Sequence, residues 1–189
     1  MNHKVDHAVT QAISNQATIR RLEAAEAIAR SGELADILLD CVAGGASVSF
    51  MAEMTGVEAL AFWSKVASGV AAGERILLVA EESGRLLGTV QVVPSGIPNQ
   101  PHRADLSKML VHRDGRGRGL GRALLAAAEQ ASREAGWWLM VLDTVVDSAG
   151  DRLYARGGWQ EVGIIPNFAL WPDGSLCPTK YYFKDLREV

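Results

Sequence analysis

A chain of 189 residues, 48% hydrophobic and 22% charged, is long enough to bury one core without disulfide or metal staples. Its 19 Lys and Arg against 22 Asp and Glu leave a net charge of −3, too weak a field to gather nucleic acid or anionic lipid. Two isolated cysteines, Cys41 and Cys177, argue against a disulfide scaffold or zinc site, and no apolar run approaches the roughly 20 residues of a membrane helix. Residues 1–16 are polar and aperiodic, without the apolar stretch of a signal peptide, and read as a flexible tail before a single domain at 17–189 in a cytoplasmic protein.

Residues 17–22 alternate as a short first strand would. Helical spacing follows over 23–30 and 33–42, where Leu34, Ile37, Leu38 and Cys41 share a face. Gly44 and Gly45 end that helix and open a loop over 44–51. A second helical stretch, 57–71, stops at Gly73, where a left-handed residue is cheap. Residues 76–80 are wholly apolar, as in a strand covered on both faces. Ser83-Gly84 turns the chain back through a strand at 86–93, and 103–111 is the next. Period-two alternation there predicts Asp105, Ser107, Met109 and Val111 on one face. The helix at 120–135 carries Leu120, Leu124, Ala127, Ala128 and Ala131 on its apolar stripe, with Glu129 and Arg133 paired outside it. A buried strand at 137–142, with Trp137 and Trp138 inside it, a short helix at 148–156 and strands at 159–165 and 180–184 complete the chain. The predicted order is strand, two helices, three strands, helix, strand, helix, two strands, an α/β mixed sheet with helices on both faces.

The segment richest in chemistry is Arg113-Asp114-Gly115-Arg116-Gly117-Arg118-Gly119-Leu120-Gly121-Arg122, between a strand and an amphipathic helix. Glycines let a backbone approach phosphates, and the free amides and dipole at a helix start favour an anion. A P-loop would need Gly-Lys-Ser or Gly-Lys-Thr, and the dinucleotide fingerprint fails because Leu120 or Arg122 falls where its last glycine belongs.

Arg116-Gly117-Arg118-Gly119-Leu120-Gly121 resembles the R/Q-x-x-G-x-G/A signature of the GNAT acetyltransferases, and Leu153-Tyr154-Ala155-Arg156-Gly157-Gly158-Trp159 is similar to their second signature, F/L-Y-x-x-x-G-F. The likeness spans about residues 18–184. Within it, residues 44–51, 116–125, Leu142-Asp143-Thr144, Pro172-Asp173-Gly174 and Tyr182-Phe183-Lys184 look like the tabtoxin-resistance acetyltransferase and its relatives. The resemblance implies a mostly antiparallel sheet with a splayed central strand pair. It also implies acetyl-CoA as cosubstrate, no metal, and transfer of acetyl to the primary amine of a small molecule such as an amino-acid-like toxin or antibiotic, by a monomer or homodimer. By the same likeness Met109, Leu110 and Val111 pair with pantetheine, and Arg116, Gly117, Arg118, Gly119, Leu120, Gly121 and Arg122 hold the pyrophosphate.

Direct transfer needs a base for the amine and an acid for the leaving thiolate. The resemblance gives Tyr154 the acid role, and Asp105 and Asp143 the roles of base and substrate anchor. Gly45, Ala46, Ser47 and Phe50 are expected to line the acceptor pocket together with both aspartates. Asp147 departs from the pattern, since many relatives place Asn there to reach the pantetheine. His102 and His112 are isolated and expected to be solvated. Acetylation of a protein N-terminus or lysine, a non-catalytic acyl-CoA sensor and a glycine-rich surface module remain as other readings.

Overall fold

A computed structural model describes residues 17–187, so the predicted tail lies outside the described residues. The elements run β1 (Thr18–Arg21), α1 (Ala24–Ala29), α2 (Ser31–Ala43), α3 (Gly56–Ala71), β2 (Ile76–Glu82), β3 (Arg85–Pro94) and β4 (Arg103–Val111). A single 3-10 turn (Arg113–Gly115) leads to α4 (Leu120–Glu134), β5 (Leu139–Val145), α5 (Ala149–Arg156), β6 (Gln160–Leu170) and β7 (Leu176–Asp185). The strand order is β1-β2-β3-β4-β5-β7-β6, antiparallel throughout except for β4 beside β5.

Each face of the sheet buries its own cluster. Trp63, Leu34, Ile37 and Leu38 from α2 and α3 pack on Leu77, Val79, Leu86 and Leu110, while Leu124, Leu125 and Ala128 of α4 pack on Val90, Val92, Met140 and Leu142. Helices α1 to α3 therefore cover one face and α4 and α5 the other, the mixed two-sided sheet expected from the sequence. Ser83 (φ 50°) and Gly84 (φ 79°) form a two-residue hairpin turn whose handedness suits strand twist. Helix α3 opens on a reciprocal cap, Thr55 with Glu58.

Four expectations are corrected. The predicted order has two helices before β2 and the structure has three, because the stretches at 23–30 and 33–42 are separate helices: the chain leaves helical geometry at Arg30 (φ −106°, ψ 17°), whose guanidinium holds Glu33 and Glu81. Strand β5 begins at Leu139, and Trp137 and Trp138 precede it. Gly136 at φ 81° ends α4, and Ser132 keeps the chain folded back by accepting from Trp137 N and donating through Oγ to Trp137 O. Glu129 does not pair with Arg133 outside the stripe. It is buried, accepting from Trp159 Nε1 at 2.9 Å and Lys184 Nζ at 2.7 Å, while Arg133 reaches the Leu186 carbonyl. The last two strands are longer than predicted and meet at a tight Trp171–Ser175 turn, with Trp171 N bonded to Ser175 O at 2.8 Å.

Candidate functional site

The glycine-rich turn is shaped for close approach. Gly117 (φ 74°) and Gly119 (φ 81°) occupy the left-handed region, which side chains resist. Gly115 is small for packing: a Cβ there would stand 2.8 Å from Leu120 Cδ1. Gly119 is the N-cap of α4, no side chain caps it, and the first helical bond runs from Ala123 N to Gly119 O. The amides of Leu120, Gly121 and Arg122 thus lie at a bare helix start, the arrangement that receives a phosphate.

Two arginines of the turn, Arg116 and Arg118, have carboxylate partners. Asp40, buried near the end of α2, accepts from Arg113 N at 2.9 Å, from Arg113 Nε and from Arg116 Nη2 at 3.1 Å. Arg116 Nε also donates to Val111 O at 3.0 Å. Burial alone would raise the Asp40 pKa, but the two Arg113 hydrogen bonds and the Arg113 charge outweigh it and hold it below the usual carboxylate range. Arg118 is paired with Glu82, and Arg122 is exposed on the first turn of α4. In this structure, then, Asp40 and Glu82 engage the guanidiniums of Arg116 and Arg118, which brace the turn. His112 and His102 have partners as well: His112 Nδ1 accepts from Asp114 N, and His102 stacks on Trp138 at 4.4 Å.

Beside this turn the sheet opens. β4 and β5 pair only from Arg103 with Leu139 to Asp105 with Val141, and past that point each continues without the other. The splayed pair is therefore present, and residues 106–111 have no strand partner on the β5 side. The register with β3 jumps from Ser107 opposite Gln91 to Leu110 opposite Thr89, so Lys108 and Met109 share Val90. This bulge, with Lys108 at φ 51°, overturns the predicted alternation. Ala104 and Leu106 join the α4-side core before it, and Met109 and Val111 pack on that same core after it, while Leu110 joins the other. Asp105 and Ser107 consequently face the α1–α3 side, away from Met109 and Val111.

The charged residues on that face lie around the gap between β4 and β5. Asp143 lies within β5, opposite Tyr181 of β7. Burial pushes the Asp143 pKa up, the Lys108 charge pulls part of the shift back, and Asp105 adds to it. Asp105 is held by Arg103, Nη1 to Oδ1 at 2.6 Å. Tyr154 on α5 is buried against Trp159 and Tyr182, and burial, with Asp143 next, drives its phenol pKa well above the ordinary value. Asp147 stands in the left-handed region at φ 58°, its amide bonded to Asp151 at 2.8 Å.

Of the predicted pocket residues, Phe50 reaches the cleft, its ring 5.8 Å from Lys108 Nζ. Gly45 (φ 84°) closes α2, and Ala46 bonds back to Cys41 O and packs on the α2–α3 core. Ser47 Oγ donates to Leu170 O at 2.7 Å and Ala52 N to Pro172 O at 3.0 Å, so the loop is pinned to the β6–β7 turn and walls the cleft. Sequence reasoning missed Lys108, Ser49 and Tyr181. Plain alternation turns Lys108 to the wrong face, and only the unannounced bulge brings its Nζ to Ser49 Oγ at 3.0 Å. Among the described residues no group of three or more His, Cys, Asp or Glu is gathered to hold a metal ion, and no helix is long and apolar enough to cross a membrane.

The comparisons agree with this geometry. Residues 73–161 match the acetyltransferase (GNAT) domain. The protein yncA of Salmonella typhimurium, a candidate acetyltransferase solved with its cofactor acetyl-CoA, superposes with a TM-score of 0.74 at 22% identity, over 92% of this chain and 96% of that one. The ribosomal-protein-alanine N-acetyltransferase of Brucella melitensis gives 0.72 at 23% identity, over 89% and 99%. A candidate phosphinothricin N-acetyltransferase gives 0.73 at 20% identity, over 92% and 100%. Residues 73–161 are thus similar in sequence to the GNAT acetyltransferase domain, and the chain shares the fold of these proteins over about nine-tenths of its length.

Proposed function

We propose that the protein is an acetyl-CoA-dependent N-acetyltransferase whose acceptor is the primary amine of a small molecule. The observation that carries this is one of adjacency: a bare helix start behind left-handed glycines lies next to a parallel strand pair that parts, with a solvent-accessible carboxylate and a buried phenol near enough to share electrostatics. Bound acetyl-CoA supplies the acetyl group already activated as a thioester. The turn from Arg116 to Arg122 holds the diphosphate through its amides, and the open side of Met109, Leu110 and Val111 receives the pantetheine amides. Backbone N–H groups near Leu110 can also stabilise charge developing on the thioester oxygen. Asp143 takes the proton from the attacking amine and Tyr154 donates one to the sulfur as the C–S bond breaks; the carboxylic acid and phenolate this leaves are reset by proton exchange through solvent.

The loop over residues 44–54 supports a small acceptor rather than a polypeptide, because its ties to β6 and the following turn close one wall. The fold likeness to a candidate phosphinothricin enzyme and the tabtoxin-resistance motifs favour an amino-acid-like acceptor, with a toxin- or antibiotic-modifying role in the cytoplasm by a monomer or homodimer. The likeness to the Brucella enzyme supports a second reading, acetylation of a protein N-terminus. Release of free thiol from acetyl-CoA, followed with small amines and with short peptides bearing a free N-terminus, separates them. Turnover on small amines is expected; turnover on peptides alone would move the function to the second reading, and acetyl-CoA binding without any turnover would make the protein a sensor.

A further inference from the structure

Lys108 is a lysine that the fold sets apart. A non-glycine residue at positive φ carries strain, and here that strain sits at the point where β4 leaves β5. The bulge turns Ser107 and Lys108 toward the same face, so the ammonium is delivered into the cleft instead of onto the opposite core.

Its surroundings leave the charge mostly unmet. One donor reaches Ser49 Oγ at 3.0 Å, and the Phe50 ring lies 5.8 Å from Nζ. An ammonium has three donors, and among the described residues no carboxylate forms an ion pair with this one. Asp143 is the charged group across the cleft, close enough to favour the protonated lysine but not in contact with it. Burial works the other way and pushes the Lys108 pKa down, so a half-buried cation gains from any anion brought to it. The cleft thus presents a carboxylate and an ammonium facing each other without closing into a pair. A molecule with an amine and an anionic group close together satisfies both.

We infer that Lys108 binds a carboxylate of the acceptor while Asp143 receives its amine, which makes Lys108 a specificity-determining residue and free amino acids and their close analogues the acceptor class. This rests on the acetyltransferase reading above. A simple diamine or an amidated peptide offers the amine alone and leaves Lys108 desolvated without an anion.

The test uses matched pairs: an amino acid and its decarboxylated amine, such as lysine with cadaverine and ornithine with putrescine, plus an amidated dipeptide, each assayed by thiol release. For the wild-type chain, kcat/KM is expected to favour the carboxylate-bearing member. In Lys108→Gln, KM for that member should rise about 10-fold or more with kcat nearly unchanged, the size of losing a hydrogen bond to a charged group. KM for its decarboxylated partner should not rise, and Lys108→Arg should restore part of the discrimination. Equal use of both members by the wild-type chain, or an equal loss on both in Lys108→Gln, would overturn the inference; the latter is what a proton-transfer or purely structural role would give. Acetyl-CoA stabilisation of the fold is measured on every variant. If it persists while no amino acid is acetylated, the inference falls and the cofactor reading stands. If it is absent from the wild-type chain, the acetyltransferase reading itself has failed and the inference falls with it.

Discussion

Asp143→Asn is expected to lower kcat by about 100-fold or more at neutral pH, the lower range for removing a general base. The substitution is nearly isosteric, and Asp143 sits at the cleft instead of in either core cluster, so loss of fold is not the expected cause. The groups facing it are Lys108 and Asp105 from β4, Tyr181 from β7 and Tyr154 from α5. Burial raises its pKa above the ordinary carboxylate range, Lys108 offsets part of that, and Asp105 adds to it. A base works deprotonated, so wild-type activity should fall as pH drops through this raised pKa, giving an acidic limb in kcat/KM. That limb should disappear in Asp143→Asn. A pH–rate profile that keeps its limb in Asp143→Asn and loses it in Asp105→Asn would assign the base to Asp105, despite the Arg103 ion pair that engages it.

Tyr154→Phe should reduce kcat by about 10-fold or more while leaving acetyl-CoA binding intact, a smaller floor than the roughly 100-fold usual for general acid–base groups because a thiolate can depart without a full proton transfer. The side chain is 5% exposed, with ring contacts to Trp159 at 5.9 Å and Tyr182 at 6.2 Å. Phenylalanine keeps that packing and removes only the hydroxyl, so a loss of rate would report chemistry. Burial first, and the Asp143 charge second, keep the phenol protonated through neutral and mildly alkaline pH. The phenol therefore stays loaded as a donor, hydrogen-bonds to the sulfur as charge grows there, and passes its proton only as the C–S bond breaks. An unchanged kcat in a variant with unaltered thermal stability would remove Tyr154 from the reaction.

What could be read in advance divides by the range of the forces involved. Hydrophobic period and glycine punctuation placed α3, α4, β3 and β4 within a residue or two, because those signals are local. The glycine-rich turn was legible for the same reason, since Gly117 and Gly119 are needed where they stand by their own φ. Features that depend on a distant partner were not. Glu129 reads as a surface residue on its helix, and only Trp159 Nε1 and Lys184 from the far end of the chain make burial favourable. Strand β5 starts late because α4 ends through a contact between Ser132 and Trp137 that two adjacent tryptophans do not announce. The bulge at Lys108 has no glycine to mark it, so alternation carried Met109 and Val111 to the wrong face and hid Lys108 itself. Asp40 was missed as well: its helix reads as amphipathic, and its partners Arg113 and Arg116 lie more than seventy residues away.

The central claim is that the turn from Arg116 to Arg122 and the open edge of β4 hold acetyl-CoA. The direct measurement is thermal unfolding with and without acetyl-CoA, set against acetate at the same concentration. At 100 times its dissociation constant a ligand adds about 2.7 kcal/mol to native stability, which raises the midpoint by several degrees, roughly 5–10 °C, in a chain of this size. The account predicts that rise with acetyl-CoA and none with acetate. Identical midpoints in all three samples would contradict it.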